Sequence, residues 1–455
     1  MTEFLRPSYV PNTDADRAEM LRVVGVGSVD ELFAEIPEPV RNPELRLPAP
    51  LAEADLLRHM RELAAQNFSL DEYACFLGGG VYRHFVPSVV QHVIARNEFY
   101  TAYTPYQPEV SQGTLQALFE YQSLICDLTG MEVANASMYD GGSATAEAAL
   151  MACRLTGRTA IGIADTANPQ YIEVLRTYFE GQSLQVEVFD ADDPPVDRSL
   201  ACLILQHPNF FGYLERPELV AARARESGSL LVMIIDPISL GLLKPPGEYG
   251  ADIVVAEGQS LGLPLYFGGT CLGIFACRQE HVRQMPGRLV GQTVDLEGRR
   301  GFVLTLQTRE QHIRRERATS NICTSQSLLA IAAAAYLAAL GKHGLRAVAE
   351  QCYHKAHYAA KLIAAIPGYS LAFDRPFFKE FVVVCPAPVA EINRFLLGRK
   401  IIGGLDVSPY IPNGMLIAVT ELNTRAEIER LAEALKDAAA AAVATGLARE
   451  VSDVR

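Results

Sequence analysis

From about Gln116 the hydrophobic pattern switches period repeatedly. Stretches with apolar residues three and four apart predict amphipathic helices, and they alternate with short apolar runs that predict buried strands. The strand candidates are Thr159–Ile163, Leu184–Phe189, Leu200–Leu205, Leu230–Ile235, Ile253–Ala256 and Cys271–Ala276. This alternation predicts an α/β fold, a mainly parallel sheet with helices on both faces. The longest apolar run, Leu328–Leu340, has 13 residues and is rich in alanine. A bilayer crossing needs about 20, so the run reads as a buried helix and no membrane is expected.

Beyond that helix the texture becomes α+β, with strands at Phe381–Val384 and Met415–Val419 and a closing helix from Thr424. The first hundred residues are punctuated by proline, with short amphipathic stretches at Val29–Ile36 and Ala54–Gln66. The expected division is an N-terminal arm and cap over 1–115, a large α/β domain over 116–330 and a smaller C-terminal α+β domain over 331–455. No solenoid-type repeat is visible, and no low-complexity linker beyond the alanine-rich stretch near Ala438.

Composition narrows the function classes. A chain of 455 residues with 49% hydrophobic content can bury a large core. A formal net charge of −13 speaks against nucleic acid as a partner, because neutralising phosphates takes a concentrated excess of Lys and Arg. The opening Met1-Thr-Glu-Phe-Leu-Arg lacks the basic and apolar regions of a secretory signal, so a cytoplasmic location is expected. Nine scattered cysteines, without a C-x-x-C pair or clustered histidine, fit reduced core thiols, and no metal site is expected.

Three segments have the makings of a site. Tyr139–Ala148 places Gly141, Gly142 and Ser143 just before a helical stretch, a turn whose free amides and helix dipole suit a phosphate. An ordinary N-cap formed by Ser143 or Thr145 would look the same. Asp236 closes the apolar strand Leu230–Ile235, where ligands of open α/β sheets bind, and a carboxylate there can pair with a pyridinium nitrogen. It is equally the turn former before Pro237. His207 and Asn209 follow another buried strand in a Pro-Asn turn, alone an ordinary loop.

Phosphate turn, Pro-Asn loop and strand-end Asp, in that order, resemble the large domain of fold type I enzymes, the transferase-like class that uses pyridoxal 5'-phosphate (PLP). Such an enzyme next needs a lysine to hold the cofactor aldehyde. The chain has no lysine from Met1 to Leu243, and Lys244 comes too soon after Asp236, in a Pro-Pro-Gly turn. The segment that should supply the amine, from Ala256 through Pro264 to Gly269, contains none.

At this point the chain as a whole resembles the glycine-cleavage P-protein family, in its α-type chains. The resemblance rests on Tyr9-Val-Pro-Asn-Thr, Phe76-Leu-Gly-Gly-Gly, the long string Tyr103–Gly113, the Tyr139–Ala148 turn, Arg317–Thr324 and Gly403-Gly-Leu-Asp. It implies a β partner that resembles this chain and carries a His-Lys-Thr sequence. With Pro264 and Gly268-Gly269 in register, Gln259 stands where that partner has its PLP-binding lysine. Gln cannot form a Schiff base, so the resemblance implies PLP held covalently by the β subunit and not by this chain.

The same resemblance implies an α2β2 enzyme that decarboxylates glycine and passes the aminomethyl group to the lipoyl arm of H-protein. In this chain Tyr103, Tyr106, Gln107, Glu109, Ser111 and Gln112 are then candidates for the face toward the partner's site, with Thr319 and Asn321 as a second set. A stiff structural loop explains the first set as well, and a solvated basic helix end explains the arginines at 314, 315 and 317. Gly141, Gly142, Ser143, His207, Asn209 and Asp236 would be a vestigial cofactor pocket. Two other readings stay open: a non-catalytic scaffold or regulatory subunit that only supports its partner, and a self-sufficient PLP decarboxylase using Lys244.

Overall fold

The computed structural model describes residues 11–41, 43–44, 46–265 and 271–444. Tyr9 and Gly268-Gly269 of the family strings lie outside them. Two compact units emerge, Met1–Phe68 and Ser69–Arg455. In the first, helix α1 (Asp14–Val24) is fixed by a capping box, the Asp16 amide donating to the Thr13 hydroxyl at 3.2 Å and the Thr13 amide to the Asp16 carboxylate at 2.8 Å. Gly25 ends it at φ 87°, a left-handed conformation that glycine adopts without steric cost. Helix α2 (Glu53–Ala64) is amphipathic, and neither helix contains a buried residue.

The second unit begins with segment 69–111 and helices α3 (Gln112–Thr129) and α4 (Gly141–Thr156). It is built on a seven-stranded sheet: β1 (Val133–Ala134), β2 (Ala160–Ala164), β3 (Gln185–Phe189), β4 (Leu200–His207), β5 (Leu230–Ile235), β6 (Ile253–Glu257) and β7 (Gly273–Cys277), in the order β1-β7-β6-β5-β4-β2-β3. β2 through β6 pair in parallel, as the strand and helix alternation predicts, whereas β7 runs antiparallel to β6 and to β1. Period-two burial shows why the central strands are apolar throughout, while the edge strand β3 stays largely exposed. Leu231, Met233 and Ile235 of β5 enter the core on one face, and Val232 and Ile234 enter the core on the other. α4 and α5 (Pro169–Glu180) cover one face; α3 and α6 (Pro217–Ser227) cover the other.

A hairpin, β8 (Leu289–Val294) with β9 (Arg300–Thr305), packs on α3. The expected apolar helix is longer than its apolar run. α7 spans Ser327–Ala364 and kinks at Gly341, whose φ of 59° and ψ of −176° leave the helix. By length and composition it passes for a membrane span, but half of its apolar window is buried in the protein. Its N-terminal half, with Leu329 and Leu337, joins the large-sheet core; Ala356, Ala359 and Ile363 join a second core.

That second core lies under a four-stranded antiparallel sheet of β10 (Ser370–Leu371), β11 (Glu380–Val384), β12 (Leu405–Asp406) and β13 (Gly414–Ala418), covered by α8 (Val389–Leu397) and α9 (Arg425–Ala444). Ala74–Cys75 runs parallel beside Ile401–Ile402, and the Ala418 amide donates to the Phe76 carbonyl at 2.9 Å. Ala74 and Phe76 thus pack in the small-sheet core, whereas Val90 and Leu115 pack in the large one. Phe381, the second residue of β11, has no exposed surface. Phe381→Ala should cost about 3–5 kcal/mol in urea unfolding; a loss under about 1 kcal/mol would contradict this packing.

Candidate functional site

β4, β5 and β6 end side by side, which brings His207, Asp236 and Glu257 to one edge of the sheet. Asp236 accepts from the Ile238 amide at 3.1 Å, so it does form the turn before Pro237. Its other oxygen meets a residue that sequence patterning did not single out: Lys379, just before β11, places its Nζ 2.8 Å from Asp236 Oδ2. An ammonium has three N–H donors and no acceptor. The other two face His84 Nε2 at 3.1 Å and the Tyr82 ring, whose centroid is 3.5 Å away. His84 Nε2 must therefore accept, so its proton sits on Nδ1 and is donated to Glu421 at 2.7 Å. Burial and the neighbouring Lys379 charge both push the His84 pKa down, in keeping with a neutral ring.

Tyr82 belongs to the segment that lies across this edge. Gln259 clasps its backbone from both sides, Nε2 donating to the Tyr82 carbonyl at 3.1 Å and Oε1 accepting from its amide at 3.0 Å. The remaining Gln259 donor reaches the Leu263 carbonyl at 2.7 Å. The Tyr82 hydroxyl donates to Glu380 at 2.6 Å, and the Gly79 amide donates to the other Glu380 oxygen at 2.7 Å. This approach needs the glycine run: Gly79 has φ 90°, and a Cβ on Gly78 would collide with the Glu380 carboxylate and Ala418.

The glycine turn begins α4, and Asp140, not Ser143 or Thr145, is its N-cap. Asp140 Oδ1 accepts from the Ser143 amide at 2.8 Å, and Ser143 Oγ accepts from the Asp140 amide at 3.2 Å. Thr145 Oγ1 turns back to the Gly141 carbonyl. The Gly141 amide, the donor that would greet a phosphate, already donates to Glu257 Oε2 at 3.0 Å. Glu257 Oε1 accepts from the Gln259 and Leu272 amides at 3.0 and 2.9 Å. Burial drives the Glu257 carboxyl up to about 7, against the pull of these three donors.

His207 and Asn209 organise their own loop. His207 Nδ1 accepts from the Glu215 amide at 3.1 Å, and burial lowers its pKa to about 4. Asn209 accepts from the Phe211 and Tyr213 amides and donates to Glu215 at 2.7 Å. PLP does not fit the pocket so formed. Gln259, at the position expected for a lysine, has both ends of its amide bonded, the strand-end carboxylate has an internal cation, and the turn amide has an internal acceptor. The space enclosed by Asn168, Tyr171, Asn209 and Asp236 measures about 40 Å³, room for a few waters.

A second cluster joins three of the strings singled out by sequence. Buried Arg288, from the start of β8, donates to the Tyr106 hydroxyl at 3.1 Å and to the Cys323 carbonyl at 2.6 Å, and its Nε lies 3.7 Å from Glu310. The Tyr139 hydroxyl accepts from the Cys323 amide at 3.0 Å, and Ser137 Oγ accepts from the Gln326 amide at 2.9 Å. Tyr103 is 81% exposed, and Gln107, Glu109 and Asn321 are exposed as well. Gln112 is instead committed to structure, gripping the Phe302 backbone at 2.8 and 2.9 Å. Ser111 stands before α3 without a side-chain cap bond, and the Thr319 amide donates to the Arg309 carbonyl at 3.0 Å.

Sequence reasoning missed Lys379, Tyr82, Glu257, Glu380 and Arg288, whose partners lie far away in sequence. The available signal was weak: a Lys-Glu pair opening an apolar strand, and three consecutive glycines that leave room for another chain segment. It also missed the gathering of His84, Cys352 and Glu421, whose ligating atoms lie within 4.8 Å of one another. The Lys379 ammonium touching the same imidazole opposes a cation there.

Known proteins resemble this chain along nearly its full length. The family described as Glycine cleavage system P-protein matches residues 7–435. A probable glycine dehydrogenase (decarboxylating) subunit 1 from Thermomicrobium roseum is 54% identical, covering 95% of this chain and 100% of its own. A crystal structure of glycine decarboxylase (P-protein) of the glycine cleavage system, in inhibitor-bound form, superposes with a TM-score of 0.90 at 47% identity, covering 95% of this chain and 100% of that one. A C-DES mutant with glycine covalently linked to its PLP cofactor shares the fold alone, with a TM-score of 0.60 at 14% identity over 81% of this chain and 97% of its own. The architecture is that of fold type I PLP-dependent enzymes.

The Glu257 carboxyl yields a pH prediction with a definite sign. A folded pKa near 7 against an unfolded value of 4.5 means that the folded state binds the extra proton between them. The contribution of Glu257 to stability is complete below pH 4.5 and is lost as pH rises through 7. Glu380, also raised by burial, acts in the same direction. Relative to Glu257→Gln, the wild-type melting temperature should therefore fall between about pH 5 and about pH 8. A gap that widens in favour of the wild type over that range would refute the assignment.

Proposed function

The chain belongs to the P-protein family of the glycine cleavage system, and from that membership we propose that it is the lysine-less α subunit of a two-subunit, decarboxylating glycine dehydrogenase. It acts in glycine cleavage, as its relatives' names state. In the proposed division of labour a second subunit holds PLP covalently, and PLP supplies the electron sink for loss of carbon dioxide from glycine. The aminomethyl group then passes to the lipoyl arm of H-protein. The observation that carries this reading is Gln259, an amide with both ends bonded where the family's chemistry calls for an amine.

What this chain contributes, we infer, is a shaped wall of the shared site. The cluster around Arg288 supports this, because one buried guanidinium holds Tyr106 and the Cys323 loop in register while Tyr103, Gln107, Glu109 and Asn321 stay exposed beside it. Ser111 and Thr319 belong to the same proposed face, whereas the bonds of Gln112 favour a supporting role. The scaffold reading, in which the chain only steadies its partner, is favoured by the commitment of these loops to internal bonds. An α2β2 assembly and a cytoplasmic setting complete the proposal, and nine free thiols without a disulfide suit a reducing compartment. The division at 1–115, 116–330 and 331–455 is likewise a proposal.

Glycine-dependent exchange of labelled bicarbonate into the glycine carboxyl group, with PLP and lipoylated H-protein present, tests the division of labour. Activity should appear only when this chain and its partner are mixed; full activity from this chain alone would overturn the reading. Tyr106→Phe removes the acceptor of a charge-assisted hydrogen bond, worth about 1.5–3 kcal/mol. If the wall reading holds, it should lower exchange by about tenfold, or 1.4 kcal/mol, in an intact complex. Unchanged exchange in that complex would favour the scaffold.

A further inference from the structure

We propose that the chain carries a built-in substitute for the cofactor: Lys379 is the resident counter-ion of Asp236, the Glu257 carboxyl is the resident acceptor of the glycine turn, and the Tyr82 segment, clasped by Gln259, fills the space between them. The argument begins with charge. In the sheet-edge pocket of this fold a carboxylate serves a cationic ring nitrogen and a helix N-terminus serves a phosphate. Both needs are met here from within. The Lys379 ammonium reaches Asp236 at 2.8 Å with its other donors spent on His84 and the Tyr82 ring. The Glu257 carboxylate takes the Gly141 amide at 3.0 Å.

Sterics point the same way. A Cβ on Gly141 would meet both the Tyr171 hydroxyl and the Glu257 backbone, so side chains already fill the concavity that the glycines leave open. Gln259 completes the plug in a way that lysine cannot, since its amide donates to the Tyr82 carbonyl and accepts from the Tyr82 amide together, whereas an ammonium has no acceptor. Exclusion of PLP therefore rests on several groups, and restoring a lysine at position 259 alone leaves the internal ion pair and the internal acceptor in place.

The test uses the full chain co-expressed with its partner, treated with PLP and borohydride, with adducts mapped by peptide mass so that the two chains read separately. In the wild type, exposed lysines such as Lys342, Lys361 and Lys436 should be labelled and Lys379 should stay free. Labelling of Lys379 at the level of those surface lysines would overturn the proposal, because the pocket would then admit the cofactor aldehyde. Gln259→Lys should trap PLP at position 259 at background level only, whereas Gln259→Lys with Lys379→Met should trap at least ten times that background. Equal trapping in the two variants, at any level, would refute Lys379 as the barrier. Should the double variant fail to fold, the wild-type labelling still decides. The labelling reports on this chain's pocket and the bicarbonate exchange on the division of labour, so the failure of one is distinguishable from the failure of the other.

Discussion

The ion pair between Asp236 and Lys379 is the contact on which the centre of the larger unit depends. It joins the end of a strand of the large sheet to the residue just before β11 of the small sheet, with hardly any solvent to screen it. Breaking such a pair by removing one partner costs about 3–5 kcal/mol, because the other charge is left buried without compensation. That penalty fixes how β11 meets β5. Lys379 reaches Asp236 and the Tyr82 ring, and Glu380, the next residue, takes the Gly79 amide and the Tyr82 hydroxyl. Two adjacent charged residues thus hold both the sheet edge and the segment that crosses it.

The helix N-terminus obeys the same constraint with the opposite sign. The first amides of α4 have no partner inside the helix, and burial makes an unmet donor expensive. Asp140 satisfies the Ser143 amide and Glu257 satisfies that of Gly141, so the cap and the strand end meet at the glycine turn. The raised Glu257 pKa is the cost of doing this with a buried carboxylate, which three amide donors reduce without cancelling. A turn suited to phosphate is equally suited to a carboxylate from its own chain, and sequence alone does not tell the two apart.

The elements that were legible in the sequence are those whose signal is local. The strands β2, β4, β5 and β6 show as apolar runs because they are buried on both faces, the exposed edge strand β3 shows by its alternating Val186 and Val188, and Asp236 shows because it breaks an apolar run at its end. Gln259 shows because a required amine is missing in a short window. Lys379 carries no local mark. A lysine ahead of an apolar strand reads as a solvated end, and only the fold brings residues 82, 84 and 236 to it. Arg288 is similar, a lone cation whose partners Tyr106 and Cys323 come from both directions along the chain. The cap was misassigned by a few residues because Ser143 and Asp140 exchange bonds within one capping box, and either is a good cap by composition.

A pocket that gives up its amine inherits a difficulty at each end. Without a ring nitrogen the strand-end carboxylate lacks a cation, and without a phosphate the helix amide lacks an anion; neither can stay buried and unmet at small cost. Water can relieve this where there is room, but the Tyr82 segment leaves about 40 Å³. The remaining remedy is a partner supplied by the chain itself, the Lys379 ammonium for Asp236 and the Glu257 carboxyl for the Gly141 amide. Each then becomes a structural requirement in its own right, since removing either recreates the original unpaired group. In the proposed division of labour the missing lysine is a single chemical change, and Lys379, Glu257 and the clasped Tyr82 segment add further barriers beside it, each held by bonds within the chain.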